Sequence, residues 1–226
     1  MLWRRISPLT YTIPKPLLPI GEKPILEEII ERLKAQGVRD FVIAVGYRAE
    51  LIETYFRDGS QLGVRIAYVR ETAPLGTAGP LALVRAQCDV PDDEPLLVMN
   101  GDILTDLDTR ALTQAHAASG CEMTVATREY QLHHPYGVIA VTDGKISGIT
   151  EKPSVTDTVS AGIYAIDASA LDVVPDGRAF DMPDMVNALL AAGRSVGAYA
   201  FDDAWIAIDR IEQLEDAGRI IAERHG

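Results

Sequence analysis

The chain has 226 residues, with 21 basic and 33 acidic side chains and a formal charge of −12. Its 47% apolar and 24% charged residues exclude disorder throughout, and the net negative charge leaves no basic stripe for a nucleic-acid backbone. No apolar run approaches the roughly 20 residues of a membrane span, and Pro8 interrupts the start too early for a signal peptide, so a cytoplasmic protein is expected.

In chain order, Pro24 to Gln36 predicts a helix. Ile25, Leu26, Ile29, Ile30 and Leu33 form one apolar stripe, Pro24 suits the first turn and Gly37 the stop. Phe41-Val42-Ile43-Ala44-Val45 predicts a strand covered on both faces. A helix follows over Ala49 to Phe56, then a strand over Val64 to Val69. A Gly-rich loop leads into a helix from about Thr77 to Arg85. Leu96 to Met99 predicts a buried strand, and Asp108 the N-cap of a helix reaching about Ser119. The second half is richer in strands: Met123 to Thr127, Val138 to Val141, Ile146 to Ile149, Gly162 to Ile166 and Val196 to Phe201. Asp143-Gly144 signals a hairpin turn. Helices are expected over Met182 to Ala192 and Ile211 to Arg224. The pattern is α/β, parallel early and antiparallel in part later. No repeat or linker divides it, so residues 1–226 read as a single domain.

Several short motifs carry chemical potential. Thr12-Ile13-Pro14-Lys15-Pro16-Leu17-Leu18-Pro19-Ile20 holds three prolines, which forbid a helix and predict a stiff extended loop. A lysine fixed on such a loop can meet a phosphate as a point charge. Pro74-Leu75-Gly76-Thr77-Ala78-Gly79 places glycines at a helix start, where backbone N–H groups favour phosphate or an acceptor-rich base edge. It is not a Walker loop, because no Gly-Lys-Ser/Thr follows. Asn100-Gly101-Asp102 follows an apolar strand, and ligands of open α/β sheets gather beyond such strand ends. A carboxylate there is a candidate magnesium ligand. Glu151-Lys152-Pro153 presents an acid and a base side by side, suited to sugar hydroxyls and an anion, or else a surface ion pair. His133-His134 reads as loop, and Cys88 and Cys121 as free thiols rather than a disulfide or zinc site. Asp106-Leu107-Asp108 mimics the acidic triplet of metal-dependent glycosyltransferases, though a turn and N-cap explain it.

Together these pieces resemble the sugar-1-phosphate nucleotidyltransferases, or NDP-sugar pyrophosphorylases. Pro8-Leu9-Thr10, Pro14 to Ile20, Leu75-Gly76-Thr77-Ala78, Asn100-Gly101-Asp102, Tyr136-Gly137-Val138, Glu151-Lys152-Pro153 and Ala161-Gly162-Ile163-Tyr164 stand in that family's order and approximate spacing. Among subgroups the likeness is to bacterial mannose-1-phosphate guanylyltransferase-like proteins. The resemblance implies a Rossmann-like three-layer fold with a mixed β-sheet, of the nucleotide-diphospho-sugar transferase (GT-A-like) type. It also implies Mg2+-dependent attack of a sugar-1-phosphate on the α-phosphorus of an NTP, with release of pyrophosphate. Such chemistry needs mainly positioning and charge neutralisation. Carried over residue by residue, Arg5 and Lys15 are the catalytic cations, and Gly76 and Thr77 lie against the base. Gly101, Gly137, Glu151 and Ser160 contribute to substrate binding, Lys152 holds the sugar phosphate, and Asp102 is a magnesium ligand.

The sequence departs from the family in three places. The family's Gly-Gly-x-Gly-Thr-Arg loop and the strand before it are largely missing. Aligning on Pro8-Leu9-Thr10 puts Trp3 and Arg4 where the last Gly and Thr belong, and Arg5 on the catalytic Arg. The chain therefore reads as N-terminally truncated relative to the family. Each ladder group left buried and unpaired would cost about 1–3 kcal/mol. The family's closing Trp-x-Asp-Ile-Gly reads Trp205-Ile206-Ala207-Ile208-Asp209, so Ala207 stands at the second magnesium-ligand position. Asp209 follows two residues later, displaced by roughly 6–7 Å if the segment is extended, and takes that place only with backbone rearrangement. Ser160 stands where many members have Asn. Two readings follow: a sugar-1-phosphate nucleotidyltransferase, or a catalytically impaired homologue acting as a ligand-binding or regulatory subunit. The sequence leaves open whether the chain works as a homo-oligomer or beside a catalytic partner. A glycosyltransferase using Asp106 and Asp108 is a more distant third.

Overall fold

The computed structural model describes residues 9–225, with side chains through Arg219. Two 3-10 turns, Leu9–Tyr11 and Lys15–Leu17, come first. The Pro-rich segment is thus not extended throughout. Pro14 supplies the carbonyl for Leu17 N–H at 2.8 Å and Pro16 sits inside one tight turn, where its missing donor costs nothing. Strands β1 (Pro19–Ile20) and β2 (Lys23–Pro24) then form a minimal hairpin leading into α1 (Ile25–Ala35). Strand β3 (Asp40–Val45), α2 (Ala49–Phe56) and β4 (Arg65–Arg70) make a βαβ unit whose two strands pair in parallel. The expectation that β3 is covered on both faces fails: Val42 is 43% exposed, while Phe41 and Ile43 pack inward.

Helix α3 (Pro80–Gln87) starts later than expected, because residues 77–79 form the turn that leads into it. Strands β5 (Leu96–Met99) and β6 (Ile103–Thr105) flank Asn100-Gly101-Asp102. Helix α4 (Thr109–Ser119) is capped by Asp108, whose Oδ1 accepts Arg110 N–H at 2.9 Å and Ala111 N–H at 3.2 Å. Asp108→Ala is expected to lower stability by about 1 kcal/mol, read as a lower urea midpoint with an unchanged slope. The same bonds, and the Asp106–Arg32 ion pair at 2.9 Å, give the acidic triplet structural work.

Strand β7 (Met123–His133) runs longer than its apolar start predicts, and it includes His133, expected in a loop. Strand β8 (Val138–Thr142) and β9 (Lys145–Thr150) form a separate hairpin closed by Asp143 and Gly144, both at positive φ. Its residues Ile139, Val141, Ile146 and Ile149 are exposed. Strand β10 (Ser154–Ile166) is followed by α5 (Met182–Ala191), β11 (Val196–Ala200), β12 (Trp205–Ala207) and α6 (Ile211–His225).

The main sheet has the order β11-β7-β10-β5. Strand β11 is parallel to β7, and β10 is antiparallel to both β7 and β5. Alternation along β10 fills both sides of the sheet. Tyr164 and Ile166 join α3 and α5 in one cluster, while Ala161, Ile163 and Ala165 join Leu112 of α4 in another. Strand β5 divides its side chains likewise: Leu96 and Val98 go one way, Leu97 and Met99 the other, toward the α1–α6 side. This is the three-layer mixed α/β arrangement that the resemblance implies.

Candidate active site

The sheet delivers Asn100-Gly101-Asp102 just beyond β5. Strand β10 makes room for it with a bulge. Ser160 pairs with Thr127 and Tyr164 with Val125, so four steps on β10 face two on β7. Within the bulge Gly162 has φ +73°, and a Cβ there would lie 2.7 Å from Asn100 Nδ2. Gly162 carbonyl accepts Asn100 N–H at 2.9 Å, which fixes the start of the loop. Ser160 Oγ accepts Gly162 N–H at 3.3 Å and lies 3.1 Å from Tyr164 Oη, so it braces the same bulge. Burial of Tyr164 pushes its phenol pKa up.

Three residues from distant parts of the chain converge there. Lys15 Nζ pairs with Asp102 Oδ2 and lies 3.2 Å from Asp209 Oδ1. The Lys15 side chain is only 5% exposed, whereas those of Asp102 and Asp209 are 23% and 30% exposed. A lysine this deep needs partners, and the two carboxylates supply them. The turn after β12 brings Asp209 in. Ile208 N–H donates to Asp102 carbonyl at 2.9 Å, tying the strand end to the loop. Gln213 Oε1 then accepts Asp209 N–H at 2.8 Å and Arg210 N–H at 2.9 Å, capping α6. Ala207, two residues earlier, packs against the apolar cluster around Ile103 and Leu107.

The other predicted residues fall into two further groups. Gly137 meets Glu151: a Cβ at Gly137 would lie 3.0 Å from Glu151 Oε2. Lys152 follows, exposed and at φ +42°. Gly76 and Thr77 are clipped to the start of α5 instead. Asp181 Oδ1 accepts Thr77 N–H at 2.8 Å and Thr77 Oγ1 at 3.2 Å, and Met182 N–H donates to Thr77 Oγ1 at 2.8 Å. Phe180 carbonyl accepts Ala78 and Gly79 N–H, each at 2.9 Å. Thr77 thus spends its polar groups internally. Sequence reasoning misses Asp181; its only signal is an acid immediately before Met182-Pro183 at a helix start. Gly101 is exposed, with open space where a Cβ would stand. Arg5 lies outside the described residues.

Among the described residues no group of three His, Cys, Asp or Glu side chains forms a metal cage. Two carboxylates converging on one cation still fit magnesium, which is often held by one or two carboxylates with substrate phosphates completing its shell.

The mixed sheet with helices on both sides places the chain in the fold class of sugar nucleotidyltransferases. It superposes on a putative glucose-1-phosphate thymidylyltransferase from Bacillus anthracis with a TM-score of 0.76 at 21% identity, covering 97% of this chain and 91% of the other. HddC from Yersinia pseudotuberculosis gives 0.71 at 21% identity, covering 92% and 90%. The chain belongs to the Nucleotidyl transferase family, whose sequence profile matches residues 4–224. It is 33% identical to a UTP–glucose-1-phosphate uridylyltransferase of Synechocystis over 97% of its length, and 36% identical to a mannose-1-phosphate guanyltransferase of Yarrowia lipolytica over 90%. It spans 61% and 57% of those two relatives' own lengths. No described helix is long and apolar enough to cross a membrane.

Proposed function

We propose that this chain forms an NDP-sugar and pyrophosphate from a sugar-1-phosphate and an NTP, as one cytoplasmic nucleotidyltransferase domain. The observation that carries the reading is the convergence of Lys15, Asp102 and Asp209 beyond β5, in a chain of this family. Asp102 and Asp209 would hold Mg2+, which when bound offsets the charge of the triphosphate. Lys15 neutralises phosphate oxygens at the reacting phosphorus, and its buried, proline-flanked position fixes where that charge sits. The sugar phosphate attacks the α-phosphorus and pyrophosphate leaves, so one P–O bond forms and one breaks. Gly137 backbone and the Glu151 carboxylate, already adjacent, take sugar hydroxyls, and Lys152 takes the sugar phosphate. Gly76 and Gly101 allow close approach of the nucleotide, while Thr77 shapes the base loop through Asp181. Ser160 acts by bracing the bulge beside Asn100. Arg5 joins Lys15 as a second catalytic cation.

The pair to try first is GTP with mannose-1-phosphate, which the Yarrowia relative's name suggests; UTP with glucose-1-phosphate, from the Synechocystis relative, comes next. Ala207 favours a second reading, a homologue that binds ligand or a catalytic partner without turnover. Pyrophosphate release with Mg2+ across four NTPs and several sugar-1-phosphates separates the two. Release that requires both substrates is expected. A folded, nucleotide-binding chain that stays silent across the panel sinks the enzymatic reading in favour of the second.

A further inference from the structure

We infer that Lys15 is an internal counter-cation: it must give up Asp102 and Asp209 before they can hold a divalent metal. This rests on the reading that those two carboxylates are the metal ligands. The geometry presents one pair of carboxylates and two claimants. The ammonium approaches from the protein side, with 5% of its side chain exposed, and the carboxylates open toward solvent at 23% and 30%. The trio carries one positive and two negative charges, so without ligand the ammonium offsets half of the carboxylate charge.

A metal arriving alone must displace the ammonium and leave it without a partner in a buried place, which is costly. A metal arriving with a triphosphate meets no such cost, because the released ammonium turns to a phosphate oxygen. The Lys15 backbone stays fixed between Pro14 and Pro16, while its four side-chain torsions let the ammonium swing. Metal and nucleotide therefore bind with positive coupling, and Lys15 is the element that couples them.

The test is Mn2+ binding to the ligand-free protein, followed by the loss of the free-ion paramagnetic resonance signal. Lys15→Met removes the competitor and is expected to tighten Mn2+ about tenfold, within the usual range of intersite coupling. Asp209→Asn is expected to weaken it. If Lys15→Met binds Mn2+ no tighter than wild type while Asp209→Asn still weakens it, the competition is wrong and the metal assignment stands. If Asp102→Asn and Asp209→Asn both leave Mn2+ binding untouched, the assignment fails and takes the inference with it. A second measurement needs no variant. Reductive methylation of the wild-type protein, read at Lys15 by mass spectrometry, is expected to speed up several-fold when Mg2+ alone is added. An unchanged rate at saturating Mg2+ overturns the inference.

Discussion

Lys15→Met is expected to lower kcat for pyrophosphate release by about 10²–10³-fold, the usual loss when one preorganised charge at a transition state is removed. Methionine matches lysine in length and tolerates burial, so the turn between Pro14 and Pro16 keeps its shape. The ammonium is what disappears, and with it the only cation described within reach of both Asp102 and Asp209. Two carboxylates then face the incoming phosphates with no lysine to offset them. Lys15→Arg should not rescue. A guanidinium is larger and planar, and a side chain only 5% exposed leaves it little room. Steady-state rates at saturating substrates, with circular dichroism as the check on folding, measure the effect. A Lys15→Met enzyme within threefold of wild type would refute the assignment of Lys15 to the reacting centre.

The second large effect is structural. Gly76→Ala is expected to destabilise the protein by about 2–5 kcal/mol, adding a left-handed backbone penalty to an overpacked contact. Gly76 has φ +80°, and its Cβ would lie 2.6 Å from Asp181 Oδ1 and 2.7 Å from Phe180 carbonyl oxygen. Neither neighbour can yield cheaply. Phe180 carbonyl already holds two N–H groups of the same loop, and Asp181 holds Thr77. The loop must open or α5 must shift. For a chain of this size the melting temperature should fall by roughly 5–15 °C. A fall of less than 2 °C in a thermal scan would show that the clip is not rigid. On the proposed assignment of this loop to the nucleotide, KM for the nucleotide should rise alongside.

Local pattern is enough to read the elements whose cause is local. Ala49–Phe56 and Leu96–Met99 need only their own apolar spacing, the hairpin turn only Asp143-Gly144, and α4 only the Asp108 carboxylate. The rest depends on partners. Residues 154–160 carry β-branched Val155, Thr156, Thr158 and Val159, but all except half-buried Val159 are exposed and no continuous apolar run marks them; β7 lying alongside in register from His133 to Thr127 makes them a strand. Ile103–Thr105 and Trp205–Ala207 are three residues each, too short to show any period, and they exist by pairing with each other. The site follows the same division. Lys15 and Asp102 are visible as motif residues. The place of Asp209 depends on a turn between β12 and α6 that no spacing rule describes, and the Thr77–Asp181 clip spans 104 positions.

The ion pairs of Lys15 reach across 87 and 194 positions of the chain. Closing loops of that length is slow and comes late in folding. On a ribosome adding about 5–20 residues per second, Lys15 emerges roughly 10–40 s before Asp209 does. Asp102 is added part-way through that interval, and until Asp209 follows the nascent chain holds Lys15 with at most one of its two carboxylate partners. Under the proposed function, a ligand that needs all three residues adds its RT ln(1 + [L]/Kd) of stability only after Asp209 is in place.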